Sequence, residues 1–190
     1  MRIVGGKWKG HSLEAPSGKS VTRPTTDRAR EAMASMILSS FGLDLEGVRV
    51  LDGFAGTGAL GMEMLSRGAA SCTFVDRDRK ALSRIVKNLK GVGAEACCYQ
   101  LLGADSFQLG QLGTVPGAPF DLVLLDPPYA CKPQQVAQLL GGLKGRGQLA
   151  EEARILYEHG PEASGLELEG LQSEKCKKYG TCLVDLYLYG

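Results

Sequence analysis

The sequence predicts an α/β fold built on a doubly wound, mostly parallel sheet of seven strands. From residue 46 onward, short apolar and β-branched runs alternate with longer segments of helical periodicity. The run Leu122-Val123-Leu124-Leu125 contains no polar residue, which is typical of a strand covered by helices on both faces. The length of 190 residues fits about one domain with a short appendage.

An N-terminal extension over residues 1–45 is expected to precede the main domain over residues 46–190. Residues 1–15 predict a short hairpin interrupted by glycines. Thr25 or Thr26 is the expected cap of a helix that runs to about Ser40, because a threonine hydroxyl can accept a hydrogen bond from a first-turn amide. The helix is predicted from apolar residues at helical spacing, namely Ala29, Ala32, Met33, Met36 and Ile37.

The main domain then alternates in order. Strands are predicted at 48–52, 72–76, 96–102, 120–126 and 154–159, and a hairpin around Gly180 between 171 and 188 supplies two more. A helix closed by Gly68 follows the first strand. The next helix has Ala81, Leu82, Ile85, Val86 and Leu89 on one face, and another follows the fourth strand with Val136, Leu139, Leu140 and Leu143.

Composition excludes several classes of protein. Apolar residues make up 44% and charged residues 23%, which is globular rather than disordered, collagenous or coiled-coil. No apolar run approaches the length of a membrane span, and the first residues lack the apolar core of a signal peptide. A cytoplasmic protein is therefore expected. The six cysteines form no CxxC pair and have no histidine at zinc-ligand spacing, so we expect reduced thiols and no metal site.

Positive charge is concentrated near the N-terminus. Residues 1–30 carry seven basic and two acidic residues, whereas the whole chain has a net charge of only +1. A basic segment on a near-neutral body favours contact with phosphate, and Trp8 between Lys7 and Lys9 can stack on a base or anchor the segment. A solvated surface segment is the alternative.

Acidic residues follow the predicted strands. Asp52, Asp76 and Asp126 each end one, and Asp105 comes shortly after the third. Ligands of doubly wound sheets bind beyond the carboxyl ends of the strands, where these four side chains are expected to converge. The sequence therefore predicts a polar site at this edge.

A glycine-rich turn follows the first predicted strand. It contains the spacing Gly56-x-Gly58-x-x-Gly61, in which glycines let the backbone approach a ligand at a helix start. Asp76 lies where an acid would accept hydrogen bonds from ribose hydroxyls. This arrangement predicts a nucleoside cofactor, either a nicotinamide dinucleotide or S-adenosylmethionine.

The segment Asp126-Pro127-Pro128-Tyr129 favours the second cofactor. Prolines have no amide hydrogen and a fixed φ, so their carbonyls form a rigid set of acceptors beside Asp126. Such a set suits an exocyclic amine whose hydrogens are held while its lone pair faces an electrophile. Tyr129 offers a flat face for a base. Hydride transfer requires no such acceptors.

These motifs resemble a known family. Asp126-Pro127-Pro128-Tyr129 resembles the (Asp/Asn)-Pro-Pro-(Tyr/Phe) motif of amino-group methyltransferases, and residues 51–61 resemble their first cofactor motif. The opening residues 2–10, with 22–31, are similar to the bacterial RsmD family, which methylates guanine N2 in small-subunit ribosomal RNA. The resemblance covers residues 1–129 and resumes at 178–180. Gly53 stands where leucine is expected, which leaves the loop usable, and His11 replaces an expected arginine, which weakens one phosphate contact.

The resemblance implies a Rossmann-like class I methyltransferase fold and a set of site residues. The catalytic set is Asp126, Pro127, Pro128 and Tyr129. The implied contacts to S-adenosylmethionine come from Asp52, Phe54, Ala55, Gly56, Gly58, Asp76, Arg77, Asp105, Ser106 and Asp126. Those to ribosomal RNA, free or in a partly or fully assembled subunit, come from Arg2, Lys7, Trp8, Lys9, His11, Arg23, Thr25, Arg28 and Arg30. No metal and no membrane partner is implied.

Three other functions compete with this one. A DNA or other RNA amino-methyltransferase, acting on adenine N6 or cytosine N4, shares the catalytic residues but normally needs a target-recognition insertion, for which this chain has no room. A nicotinamide oxidoreductase leaves Asp126 to Tyr129 unexplained. A non-catalytic ribosome-assembly protein would need neither the cofactor loop nor the Asp-Pro-Pro-Tyr segment. Both are intact in this sequence, which argues against that function.

Overall fold

The computed structural model describes residues 1–15, 26–111 and 113–190. Within them lie four helices: α1 (Asp27–Ser40), α2 (Ala59–Ser66), α3 (Arg79–Gly91) and α4 (Pro133–Gly145). The seven strands are β1 (Arg49–Asp52), β2 (Ser71–Val75), β3 (Tyr99–Leu102), β4 (Phe120–Leu125), β5 (Leu149–His159), β6 (Leu171–Tyr179) and β7 (Cys182–Tyr189). Short 3-10 turns occupy Gly6–Trp8, Ala96–Cys98 and Ser106–Gln111.

All seven strands form one sheet in the order β3-β2-β1-β4-β5-β7-β6. The first five are parallel, and β7 joins β5 antiparallel and pairs with β6 as an edge hairpin. The predicted doubly wound, mostly parallel sheet is therefore confirmed. One apolar core lies between the sheet and α1, α2 and α3, and a second lies between the sheet and α4.

Two strand boundaries differ from the prediction. The third strand begins at Tyr99 rather than at residue 96, because its first partner on β2 is Cys72 and residues 96–98 turn beside the sheet instead. The fifth begins at Leu149, five residues early, and pairs with Phe120 before an irregularity in register. Local patterns fix the apolar centre of a strand, whereas its ends depend on the neighbouring strand.

Residues 1–15 form a closed loop with a single strand-like bridge, between Arg2 and Ser12, rather than a regular hairpin. Its side chains reach the main core, where Ile3 and Leu13 are buried. The helix α1 follows the undescribed residues 16–25 and is capped by Thr26, whose hydroxyl accepts from the Ala29 amide at 3.2 Å.

Three buried polar side chains fasten this N-terminal loop to the helices. The fully buried Glu63 of α2 accepts from the Val4 amide at 2.9 Å and from Arg67 Nε at 2.8 Å. On the same helix, the Ser66 hydroxyl donates to the Gly5 carbonyl at 2.7 Å and accepts from the Trp8 amide at 2.9 Å.

Asn88 of α3 supplies the third attachment. Its Oδ1 accepts from the Glu14 amide at 2.8 Å, and its Nδ2 donates to the Glu14 carbonyl at 3.2 Å. Deleting residues 1–15 would leave Glu63 and Asn88 buried without these partners, which is costly. The N-terminal loop is therefore part of the folded body, and point substitutions are the proper way to test its function. No helix in the described ranges has the length and apolar character needed to cross a membrane.

Candidate active site

Three carboxyl groups lie at the carboxyl ends of the central strands. Asp52 ends β1, Asp126 follows β4, and Glu158 lies near the end of β5. In the parallel register Asp52 is opposite Leu124 and Leu125 is opposite Tyr157, so Asp126 and Glu158 are the next residues on adjacent strands. Because side chains alternate along a strand, all three belong to the sheet face that carries α1, α2 and α3.

A pocket of about 450 Å³ opens beside these strand ends. It brings together ten of the predicted residues: Phe54, Gly56, Asp76, Arg77, Asp105, Ser106, Asp126, Pro127, Pro128 and Tyr129. Asp52, Ala55 and Gly58 are buried and do not line it. Phe107, Cys131 and Glu158 line it without having been predicted.

The turn between β1 and α2 requires a glycine, and so does the first turn of α2. Gly58 has a φ of +71°, and a Cβ there would lie 2.8 Å from Ile85. At Gly61 a Cβ would lie 2.5 Å from the Phe74 ring and 2.9 Å from Asp52 Oδ2. These contacts seat the start of α2 directly against the sheet, where the Gly61 amide donates to Asp52 at 3.2 Å. The turn is thereby held in one shape above the pocket floor.

Asp76 joins this turn to the pocket rim. One carboxylate oxygen accepts from the Gly56 amide at 2.8 Å, and the other accepts from the Asp78 amide at 2.8 Å. A carboxylate has about four acceptor positions, so Asp76 can still accept from two hydroxyl groups of a ligand. Its role toward a ribose stays a prediction.

The pocket lining also contains aromatic and hydroxyl groups. The rings of Phe54 and Phe107 are 5.2 Å apart and inclined by 58°, and they give the pocket an apolar wall. The buried Ser106 hydroxyl donates to the Gly53 carbonyl, which ties this wall to the glycine turn. Asp105 accepts from the Phe107 amide at 3.0 Å. A flat, partly apolar group such as a nucleobase fits between these side chains.

Two acids at this edge of the sheet, Asp52 and Asp126, have raised pKa values. Burial, with a smaller contribution from the charge of Asp76, raises the pKa of Asp52 to about 7. Asp126 is open to the pocket but enclosed by protein on its other sides. That enclosure, followed by the negative charges of Glu158 and Asp52, raises the pKa of Asp126 well above its usual range. Tyr129, 57% exposed, stands at the pocket mouth.

A comparison with known families identifies this chain. The family model described as "Conserved hypothetical protein 95" matches residues 1–188. YlbH of Bacillus subtilis (strain 168), which carries the name of an rRNA methyltransferase, is 38% identical over 98% of both chains. Ribosomal RNA small subunit methyltransferase D of Escherichia coli (strain K12) is 37% identical over 83% of this chain and 74% of its own. The chain belongs to this family. The resemblance to the RsmD family is confirmed.

Solved structures agree with the family's fold. The Escherichia coli methyltransferase yhhF covers 100% of this chain and 97% of its own, with a TM-score of 0.82 and 30% identity. The magnesium protoporphyrin IX methyltransferase of Synechocystis PCC 6803, solved with bound SAM, has a TM-score of 0.64 at 16% identity, covering 86% of this chain and 79% of its own. That second likeness supports the Rossmann-like methyltransferase fold alone.

The residues predicted to contact RNA divide into groups. Lys7, Lys9, His11 and Arg28 are exposed, and the Lys7 ammonium lies 4.7 Å from the centre of the half-buried Trp8 ring. Arg2 is exposed and pairs with Asp27 at 3.3 Å. Arg23 and Thr25 lie outside the described residues.

Arg30 differs from the other basic residues that were predicted to contact RNA. Its side chain is buried, and Nη2 donates to the Arg2 carbonyl and to Asp27 Oδ1, both at 2.6 Å. Burial removes it from contact with an RNA phosphate. Arg30 instead joins α1 to the N-terminal loop.

One group of ligand-type side chains lies away from the pocket in the described ranges. Glu95, Cys97 and Cys98 place their ligand atoms within 4.8 Å of one another at a surface turn. None of the three lines the pocket, and the chemistry proposed below does not use them.

Proposed function

We propose that this protein transfers a methyl group from S-adenosylmethionine to the exocyclic N2 amine of a guanine in small-subunit ribosomal RNA. The observation that carries the proposal is the juxtaposition, in one pocket, of the Asp76-bound glycine turn with the acceptors of Asp126 and Pro127. The names of the relatives, which describe rRNA methyltransferases, supply the substrate class.

The pocket residues fit this cofactor. A volume of about 450 Å³ suits a nucleoside-sized ligand. Asp76 would accept from the ribose hydroxyls, and Phe54, Asp105, Ser106 and Phe107 would border the adenine. When bound, S-adenosylmethionine supplies a methyl group made electrophilic by a positively charged sulfur. The neighbouring acids favour that positive charge electrostatically.

In this proposal, Asp126 and Pro127 hold the guanine amine. The lone pair of N2 is delocalised into the ring, so the amine is a poor nucleophile. Acceptance of its two hydrogens by Asp126 and the Pro127 carbonyl concentrates electron density on nitrogen. Tyr129 would stack on the base after it leaves the RNA helix. Because the pKa of Asp126 is raised, its carboxylate is also a stronger acceptor for the proton that N2 gives up.

The RNA face in this proposal consists of Lys7, Trp8, Lys9, His11 and Arg28. These residues lie on the N-terminal loop and the first turn of α1, and their cationic members are exposed. Phosphate contacts from them would supply affinity without sequence preference. The selection of one guanine would then depend on the RNA structure presented to the pocket.

Transfer of labelled methyl groups tests the reaction. Purified protein is supplied with labelled S-adenosylmethionine and with small subunits or RNA from cells lacking it, and the modified nucleoside is identified by mass spectrometry. N2-methylguanosine is the expected product. N6-methyladenosine or N4-methylcytidine would contradict the guanine assignment, and no transfer to either form of RNA would contradict the proposed reaction.

The cofactor assignment has a separate test. Asp76→Asn should weaken S-adenosylmethionine binding about ten- to hundredfold, because hydrogen bonds to charged groups contribute about 1.5–3 kcal/mol. Calorimetry measures the affinity, and Glu174→Gln on the exposed face of β6 is the matched control. Equal affinities in the variant and the control would contradict the role of Asp76.

A further inference from the structure

Glu158 is a pocket residue to which the proposed chemistry assigns no role. It is 5% exposed, yet it lines the pocket with Asp126, Pro127 and Tyr129. Its place at the carboxyl end of β5 is a place where α/β sheets bind ligands.

The surrounding structure fixes where this carboxyl group lies. Glu158 follows Tyr157, which is paired with Leu125, so it stands beside Asp126 on the neighbouring strand and on the same face of the sheet. From β7, the buried Cys182 donates its thiol proton to the Tyr179 carbonyl at 3.1 Å, and burial, followed by the nearby Glu158, raises the pKa of that thiol. Glu158 therefore lies beside Asp126 in the lining of the same pocket.

The Watson–Crick edge of guanine requires one more acceptor than the Asp-Pro-Pro-Tyr segment supplies. The edge presents two adjacent donors, the N2 amine and N1–H. If Asp126 and the Pro127 carbonyl hold the amine, N1–H is left facing the next strand. A buried donor without a partner costs about 1–3 kcal/mol. Adenine has an acceptor at N1, which a carboxylate would repel.

We propose that Glu158 reads the base, accepting a hydrogen bond from guanine N1–H while Asp126 and Pro127 hold the N2 amine. The inference rests on the proposed function and adds the residue that selects guanine. The side-by-side placement of two carboxyl groups, on adjacent strands in one pocket, carries it. Glu158 is a specificity residue in this scheme, and its contribution is distinct from that of Asp126.

The test compares guanine with 2-aminopurine at the target position of RNA assembled from a synthetic segment. 2-Aminopurine keeps the 2-amine, has an acceptor at N1 and lacks the O6 carbonyl, so the comparison of wild type with Glu158→Gln isolates the contact at N1. The wild type should prefer guanine by about tenfold or more in kcat/KM, consistent with one hydrogen bond to a charged group. Glu158→Gln, whose amide can donate to that acceptor, should lower kcat/KM on guanine about ten- to hundredfold and reduce the preference to within a few-fold of unity.

Glu158→Asp and Glu162→Gln complete the series. Glu158→Asp keeps a carboxylate and should retain the guanine preference while turnover falls, which preserves the test if the glutamine variant folds poorly. Glu162→Gln, an exposed glutamate shortly after β5, should behave as the wild type. S-adenosylmethionine affinity and thermal unfolding show that each variant is folded.

The outcomes separate the two proposals. An equal fall on both substrates in Glu158→Gln, with the preference unchanged, would show that Glu158 only positions Asp126 and would overturn the base-reading role. Unchanged rates in that variant would overturn it as well. Absence of N2-methylguanosine with the wild type would overturn the proposed function itself, and this result is read before any variant is compared.

Discussion

Replacement of Asp126 separates methyl transfer from cofactor binding. Asp126→Asn keeps the size of the side chain and one acceptor oxygen but removes the negative charge from the pocket. If the N2 amine donates to this group, the variant loses about one charge-assisted hydrogen bond, which contributes about 1.5–3 kcal/mol. Methyl transfer should then fall roughly ten- to hundredfold. Asp126→Ala removes both oxygens and should cost still more.

Cofactor affinity should change far less in the same variants. The ribose and adenine contacts proposed for Asp76, Phe54 and Ser106 lie on other parts of the pocket wall. We expect S-adenosylmethionine affinity within a few-fold of the wild type, measured by calorimetry beside single-turnover transfer. Near-normal transfer by Asp126→Ala with saturating RNA would refute the amine-holding mechanism.

The pH dependence of transfer supplies a further check on Asp126. Only the ionised carboxylate accepts both a hydrogen bond and the departing proton. Since enclosure and the charges of Glu158 and Asp52 raise its pKa, transfer should decline as pH falls through a value well above that of an ordinary aspartate. The decline should be weaker in Asp126→Asn. An identical pH profile in that variant would assign the titration to another group.

Other substitutions test the remaining parts of the structure. Tyr129→Ala should lower transfer by the loss of stacking, about 1–3 kcal/mol, whereas Tyr129→Phe should have a smaller effect; equal losses in steady-state assays would exclude stacking. Asp52→Asn should stabilise the fold above about pH 7. Because the pKa of Asp52 is raised to about 7, the stability that this side chain contributes is present below about pH 4 and is lost as pH rises through about 7. Equal differences in melting temperature between variant and wild type at both ends of this range would contradict the prediction. Ile3→Ala should destabilise the whole domain by about 2–5 kcal/mol in denaturant unfolding, because Ile3 is 1% exposed in the main core; a change below 1 kcal/mol would show that the N-terminal loop is not part of it. Lys9→Ala should reduce the log–log salt slope of RNA binding by roughly 0.7–0.9 while leaving cofactor affinity unchanged, and an unchanged slope would remove Lys9 from the RNA face.

Local sequence patterns account for the elements and for most of the pocket. The helix α1 and the centres of the strands follow from periodicity, and the ten predicted residues in the pocket come from two short motifs and from residues 76–77 and 105–106 after the second and third strands. These features are predictable because glycine turns and consecutive prolines restrict the backbone locally. The division of the chain at residue 45 and the RNA contacts remain predictions.

Long-range pairing decides what local patterns leave open. Glu158 carries no motif of its own, and only the register of β4 against β5 places it beside Asp126. A signal was nevertheless present, since an acid directly after the apolar run Ile155-Leu156-Tyr157 matches the placement of Asp52, Asp76 and Asp126. The burial of Arg30 and Glu63 has no comparable signal, because charged residues at helical spacing normally indicate a solvated face.

The attachment of the N-terminal loop to α2 and α3 has a geometric consequence for the choice of substrate. Glu63 and Ser66 bind residues 1–15 to α2, which begins at the glycine turn, and Asn88 binds them to α3. If the loop forms the proposed RNA face, the fold sets the distance from Lys7 to Tyr129. That distance would then determine which bases can reach the pocket while the RNA backbone contacts the loop. Under the proposed function, an RNA would be methylated only where a guanine can leave its helix at that distance from the phosphates that contact the loop. The RNA, rather than the protein, would therefore have to change shape on binding. Rigid helical segments without a deformable base at that position would not be substrates, whatever their sequence.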